Sequence, residues 1–214
     1  MQKDLRNYRR VYDKSELLED GIPDTPMLLF QEWFNDIEAS DAANEANAMT
    51  LSTVGVDGYP KSRVVLLKEF SDQGFVFFTN YLSEKGIAIA NHPEVCLSFF
   101  WAALERQVII KGKTEKIASV DSDSYFKQRP EGSQLGALVS PQSSVIASRE
   151  VLEDKLAELE EAFKGKPIER PQHWGGYIVK PISIEFWQGR PNRLHDRMIY
   201  TLEETNWRRE RLAP

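Results

Sequence analysis

The chain has 214 residues, 41% hydrophobic and 28% charged, and its 27 Lys and Arg against 33 Asp and Glu give a net charge of -6. This profile suits one soluble domain able to close its own core, and the acidic balance makes nucleic acid and anionic membranes poor partners. A single cysteine, Cys96, excludes an intrachain disulfide and any multi-cysteine metal site.

Residues 1–24 are charged and set Arg6, Arg9 and Arg10 beside Tyr8 and Tyr12. They are expected to form a mobile basic and aromatic arm, with residues 25–214 as one domain. The arm has no apolar h-region of the secretory kind, and the longest apolar run, 95–104, is too short to span a bilayer. A cytoplasmic protein is therefore expected.

Asp24-Thr25-Pro26 is a helix start, followed by Leu29, Phe30, Trp33, Phe34 and Ile37 at helical spacing. The middle reads as a β meander: strands at 49–54, 62–70 and 75–79, a short helix at 83–91, then strands at 95–101 and 106–117. Helices are expected at 121–128 and 149–163, with Pro130 ending the first and Ser133 in a Gly-containing loop. In the second, Leu152, Leu156, Leu159 and Phe163 form the apolar stripe and Gly165 suits the C-terminal cap. Four strands close the chain, at 177–179, 183–187, 197–202 and 207–212. Close strands with inserted helices, lacking regular strand-helix alternation, favour an antiparallel barrel in an α+β domain.

Several motifs fail. Gly112-Lys113-Thr114 resembles the end of a phosphate loop, but the first glycine it requires is Gln107. No G-x-G-x-x-G follows a strand, no G-x-S-x-G is present, and His92, His173 and His195 lack metal spacing.

Three constellations carry chemistry. If residues 193–197 are extended, Arg193, His195 and Arg197 share a face, where an anion would relieve their repulsion. An exposed polar edge, with Asp196 pairing one arginine, is the other reading. Arg63 and Lys68 bracket four aliphatic residues but have opposite parity, so aiming both at one ligand needs a bulge, a strand end or a second subunit. Tyr125 and Arg129 lie one helical turn apart and, with Ser133, suit a phosphate cup. Trp187 is either core or a stacking partner.

Together these pieces resemble the pyridoxine/pyridoxamine 5'-phosphate oxidases, over about residues 9–214. The segments RVVLLK (63–68), FFTN (77–80), LERQV (104–108), YFKQRPEGSQLG (125–136), SPQSS (140–144), EFWQG (185–189) and RLHDR (193–197) occur in the family's order. The resemblance implies an FMN-binding split β-barrel, mainly antiparallel with peripheral helices, working as a homodimer with FMN at the subunit interface. Implied FMN contacts are Arg63, Val64, Val65, Leu66, Leu67, Lys68, Phe78, Thr79, Lys85, Gln107, Gln142, Ser143, Trp187 and Arg197. For the substrate it implies Lys68, Tyr125, Arg129 and Ser133 at the phosphate, and Arg193, Leu194 and His195 at the reacting ring. Arg9, Arg10, Val11 and Tyr12 are the implied lid, and Arg193 and His195 the implied catalytic pair.

The implied reaction is oxidation of pyridoxine or pyridoxamine 5'-phosphate to pyridoxal 5'-phosphate, with O2 as acceptor, H2O2 as product and NH3 released from the amine. Two other readings stay open: a split-barrel flavoprotein with another substrate, and a non-enzymatic pyridoxal phosphate carrier. YFKQRPEGS and RLHDR count against the first, RVVLLK and SPQSS against the second. The sequence departs from the family pattern at Ala46, at Phe78 and at Glu84, beside Lys85. Only Glu84 touches the expected chemistry, and its carboxylate is expected to face solvent or pair with a neighbouring cation.

Overall fold

The computed structural model describes residues 3–40, 42 and 44–214. Residues 1 and 2 of the expected arm, and residues 41 and 43, lie outside the described residues. Among the described residues nine strands form one sheet. Its order is β2 (Pro60–Leu66), β1 (Ala48–Val54), β5 (Glu94–Trp101), β6 (Arg106–Lys116), β7 (Trp174–Gln188), β4 (Gly74–Asn80), β3 (Glu69–Ser71). Off this path β8 (Asp196–Glu203) pairs with β7, and β9 (Asn206–Leu212) with β8. No helix among the described residues is long and apolar enough to cross a membrane.

The fold divides into two compact units drawn from interleaved segments. Unit one comes from Met1–Thr50, Leu97–Lys111 and Pro181–Pro214. In it α1 (Pro26–Ala39) begins at Pro26, whose fixed φ suits a first helical turn. Its stripe is buried at Leu29, Phe30, Trp33 and Ile37. Phe30 meets Phe99 at 5.3 Å, and Trp33 meets Phe186 edge-on at 5.2 Å. Each such buried side chain stabilises by roughly 1.5–3 kcal/mol. The β8–β9 hairpin turns at Glu204, which adopts φ 54°. The N-terminal segment is tied to this unit: Leu17 is buried, its N–H donates to Asp196 Oδ2 at 3.0 Å, and Tyr200 Oη donates to Pro23 O at 2.6 Å.

Unit two comes from Leu51–Cys96 and Gly112–Lys180. β4 pairs antiparallel with β3 and with residues 174–179 of β7. Its helices are α2 (Glu84–Asn91), α3 (Ser119–Gln128), α4 (Glu131–Val139) and α5 (Glu150–Phe163). Phe126, Leu135, Ile168 and Trp174 form a buried cluster, on which Leu156, Leu159 and Phe163 of α5 pack half-buried. Gly165 follows α5 with φ 68°, a backbone that L side chains rarely adopt.

Four expectations change. The strand foreseen at 62–70 breaks after Leu66, leaving Lys68 between β2 and β3. The two strands foreseen at 177–179 and 183–187 are one, β7. Its pairing with β4 ends at Val179 and with β8 starts at Ser183, so neither ladder needs the N–H that Pro181 lacks. Pro130 ends α3 but also caps α4, its carbonyl accepting the N–H groups of Ser133 and Gln134. Ser133 therefore sits in a first helical turn and not in a loop. Residues 193–195 are not extended: Pro191–Arg193 is a 3-10 turn with Asn192 and Arg193 at φ 58° and 62°.

Candidate active site

Unit two holds a cavity of about 620 Å3. The end of β2 brings Val64, Val65 and Leu66 to it, the β2–β3 break brings Lys68, and β4 brings Phe78 and Thr79. Lys85 enters from α2 and Gln142 from the loop after α4. Tyr125, Arg129 and Ser133 line the same space. Eleven residues assigned from the family resemblance are thus together in one cavity.

The α3–α4 corner builds its cationic end. A residue before proline is driven to extended backbone, and Arg129 has φ -70° and ψ 147°. Its carbonyl accepts Gln134 Nε2 at 2.7 Å. The guanidinium lies 4.5 Å from the Trp174 ring. That ring continues a stack: Phe78 and Tyr125 are 3.9 Å apart between centroids, and Phe78 and Trp174 5.5 Å. Arg129 Nη1 is buried without a hydrogen-bond partner in the protein. Burial pushes the Arg129 guanidinium below its ordinary range. A desolvated, unmatched cation costs free energy until an anion arrives.

At the α2 side Lys85 Nζ donates to Gln142 Oε1 at 2.9 Å and approaches Ser83 Oγ at 3.4 Å. Burial, then the charge of Arg63, push the Lys85 amine down. Arg63 is itself pushed down by burial, and its Nη1 donates to Leu51 O and Thr53 Oγ1. Glu84 pairs with Lys61, whose Nζ reaches Glu84 Oε1 at 2.7 Å. The carboxylate is therefore matched by a neighbouring cation.

Three assigned residues of unit two stand elsewhere. Arg63 does not line the cavity, Leu67 is core, and Ser143, at φ 73°, lines an adjoining cavity with Glu84. Sequence reasoning missed Asn80, Gln128 and Trp174, which do line the main one. The signal for Trp174 was its aromatic ring at the start of a strand, which reads equally as core.

Unit one holds a second cavity of about 1010 Å3, lined by the arm at residues 7–12 and by Arg190, Asn192, Arg193 and His195. Arg9, Arg10, Val11 and Tyr12 thus meet Arg193 and His195. Leu194 stands exposed in the same turn. The ring of Tyr12 meets Trp187 edge-on at 5.8 Å, and Trp187 lies 4.6 Å from His195. Trp187 is thus a ring partner of the histidine. The backbone N–H of Arg190 donates to His195 Nδ1. Burial, then Arg193, push the imidazole below its ordinary value, against Asp196.

Arg197 does not join this group. Its Nε donates to Glu185 at 2.8 Å and its Nη1 to Ala213 O. Asp196 pairs with Arg211 at 2.8 Å. The expected triad of cations on one strand face is thus replaced by arm and turn arginines around His195. Gln107 is half-buried on β6 in the same unit.

The unit-two cavity suits FMN by its donor chemistry. Its volume falls among ligand pockets of about 300–1,000 Å3, it offers apolar Val64, Val65 and Leu66, and the Lys85 amine is held by the neutral Gln142 and Ser83. Among the described residues no group of three or more His, Cys, Asp or Glu could hold a metal ion.

Comparison with known proteins shows the family. The pyridoxamine 5'-phosphate oxidase family model matches residues 36–163, and that of the pyridoxine 5'-phosphate oxidase C-terminal dimerisation region matches residues 174–214. A pyridoxine/pyridoxamine 5'-phosphate oxidase of Flavobacterium psychrophilum is 62% identical over 213 residues, covering 99% of this chain and 100% of the relative. One of Pseudomonas fluorescens is 49% identical, covering 100% of both. PhzG from Burkholderia lata, solved with tetrahydrophenazine-1-carboxylic acid, superposes with a TM-score of 0.87 at 26% identity, covering 94% of this chain and 100% of that one. A pyridoxamine 5'-phosphate oxidase-related, FMN-binding protein from Nostoc punctiforme shares the fold, with a TM-score of 0.71 at 16% identity, covering 90% and 100%. With antiparallel strands, a cavity lined by Lys68, Lys85 and Arg129 and two matching family models, the chain belongs to the pyridoxamine 5'-phosphate oxidase family and is an FMN-dependent oxidoreductase of the split-barrel fold.

Proposed function

We propose that this protein oxidises pyridoxine or pyridoxamine 5'-phosphate to pyridoxal 5'-phosphate as a homodimer with FMN at the subunit interface. The alcohol and O2 give the aldehyde and H2O2, while the amine also takes up one water and releases NH3. The observation that carries the reading is the buried, unpartnered Nη1 of Arg129 beside Tyr125, Ser133 and Lys68. A phosphate dianion fits this cup, because a planar guanidinium can grip two of its oxygens.

When bound, FMN supplies the two-electron acceptor that protein side chains lack. Arg129, Tyr125, Ser133 and Lys68 bind and orient the substrate by its phosphate, which is a positioning contribution. Arg193 and His195 serve the carbon that becomes the aldehyde, through charge and a hydrogen bond. Arg9, Arg10, Val11 and Tyr12 exclude water as a lid.

PhzG favours a second reading, in which the ligand is a carboxylated polycycle. The phosphate cup distinguishes the two. Anaerobic mixing of the purified yellow protein with pyridoxine 5'-phosphate should bleach the flavin, and oxygen should restore it with one H2O2 per aldehyde. No bleaching by either B6 phosphate would refute the reading.

A further inference from the structure

Glu105 has no part in the chemistry above, yet its side chain is 1% exposed. It closes the turn between β5 and β6 with φ 57°, a conformation unusual outside glycine and asparagine. Its Oε2 accepts the backbone N–H of Asp13 at 2.9 Å and of Lys14 at 3.1 Å. Its own carbonyl accepts the N–H of Gly189 at 2.7 Å. Lys14 Nζ adds a bond to Ala103 O at 2.6 Å. One tight turn thus holds both the arm and the end of β7.

Tyr12 lies just before the held residues. A Cβ at Gly189 would come within 2.8 Å of Tyr12, so that glycine leaves the ring its seat. Seated there, Tyr12 is 6.0 Å from the His195 ring between centroids. Residues 13 and 14 are bonded at the backbone. Backbone bonds to a buried carboxylate are independent of the arm's side chains, so they hold its path whatever ligand is present.

We propose that Glu105 is a positioning residue that latches the N-terminal arm and thereby sets Tyr12 against His195. This rests on the reading that the arm covers the substrate. A carboxylate accepts N–H donors more strongly than a neutral amide does, so Glu105→Gln weakens the latch without removing it. Glu105→Asn tolerates the left-handed backbone but is one methylene too short to reach.

Limited trypsin digestion of the holoenzyme reads the arm directly, since Arg9, Arg10 and Lys14 are cleavage sites. In Glu105→Asn, cleavage should accelerate about tenfold, the equivalent of one lost charge-assisted hydrogen bond, with a smaller rise in Glu105→Gln. The KM for pyridoxine 5'-phosphate should rise several-fold in the same order, with kcat changing less and FMN content unchanged. In a Tyr12→Ala background, adding Glu105→Asn should leave KM where it was. Should the Asn variant not fold, the Gln variant carries the same comparison. Wild-type arm cleavage in a folded variant overturns the latch, and so does faster cleavage with unaltered KM, or an equal KM rise without Tyr12. The digestion needs no turnover. A wild-type protein that fails to oxidise pyridoxine 5'-phosphate would therefore count against the proposed reaction separately.

Discussion

The backbone N–H of Arg190 donates to Nδ1 of His195 over 3.0 Å. An imidazole nitrogen that accepts such a bond carries no proton of its own, so the neutral ring is protonated at Nε2. Burial and Arg193 favour the neutral ring further. His195 therefore offers its surroundings a hydrogen-bond donor.

A donor role has a mutational signature. His195→Gln, whose amide nitrogen can stand near Nε2, should keep more of the flavin reduction rate than His195→Ala. Both should retain FMN. Stopped-flow bleaching measures the step, and equal rates in the two variants would argue against the donor.

The pH dependence follows from the same groups. With the imidazole pushed below its ordinary value near 6.5, reduction should hold steady on acidification past that value, then fall as the ring gains its second proton. Arg193→Gln removes a neighbouring positive charge, which makes protonation easier and raises the pKa. The acid limb should therefore move to higher pH, whatever the height of the plateau. An NMR titration of the His195 ring tests the shift without turnover.

Arg129→Ala should weaken phosphorylated substrate by about 1.5–3 kcal/mol, the range for a hydrogen bond to a charged group. That is roughly 10- to 150-fold in affinity. Unphosphorylated pyridoxine should be a poor substrate for the native enzyme and nearly indifferent to the mutation. Comparable losses for both ligands, in steady-state kinetics, would place Arg129 away from the phosphate.

Lys85→Ala should loosen FMN, because the amine is held among Gln142, Ser83 and the nearby charge of Arg63. Glu84→Gln should tighten it at low salt by no more than about 1 kcal/mol, since the Lys61–Glu84 pair is half exposed and screened. The gain should fade as salt rises. Apoprotein titrations at two ionic strengths separate these effects.

In sedimentation the holoenzyme should run as a dimer, in keeping with the dimerisation region matched over 174–214. A monomer retaining stoichiometric FMN would count against an interfacial cofactor.

Much of this was legible because it depends on period and punctuation. The stripe from Leu29 to Ile37 and the strands at 49–54, 75–79 and 95–101 needed no tertiary information, whereas the meander did not hold: β4 pairs with β7, and β1 lies between β2 and β5. Lys68 was half legible: the strand end after Leu66 lets it reach the cavity, but Arg63 stays off the lining. The α4 helix was hidden because a proline after Arg129 reads as a stop, while the same proline can begin the next helix, and Gly132 and Gly136 dilute the pattern. The 193–197 segment misled because alternation assumes extended backbone. Left-handed Asn192 and Arg193 break that assumption, and no local residue preference announces it for an arginine. Trp174 and Glu105 were silent, since a ring or a carboxylate acquires its role only from partners far along the chain.

The pairing of Glu19 with Arg211 joins residues 192 positions apart. Arg211 also donates to Leu17 O, and Asp196 to the same stretch accepts from Leu17 N–H. On the ribosome the segment at 17–19 leaves the exit long before either partner has been translated. Contacts of such separation carry a heavy loop-closure cost and form slowly. The stretch at 17–19 should therefore be among the last parts to settle, after the latch at residues 13–14. A nascent chain halted before β9 should still leave Glu19 open to a glutamate-specific protease, because Arg211 is its partner, even with much of the rest of the sheet in place.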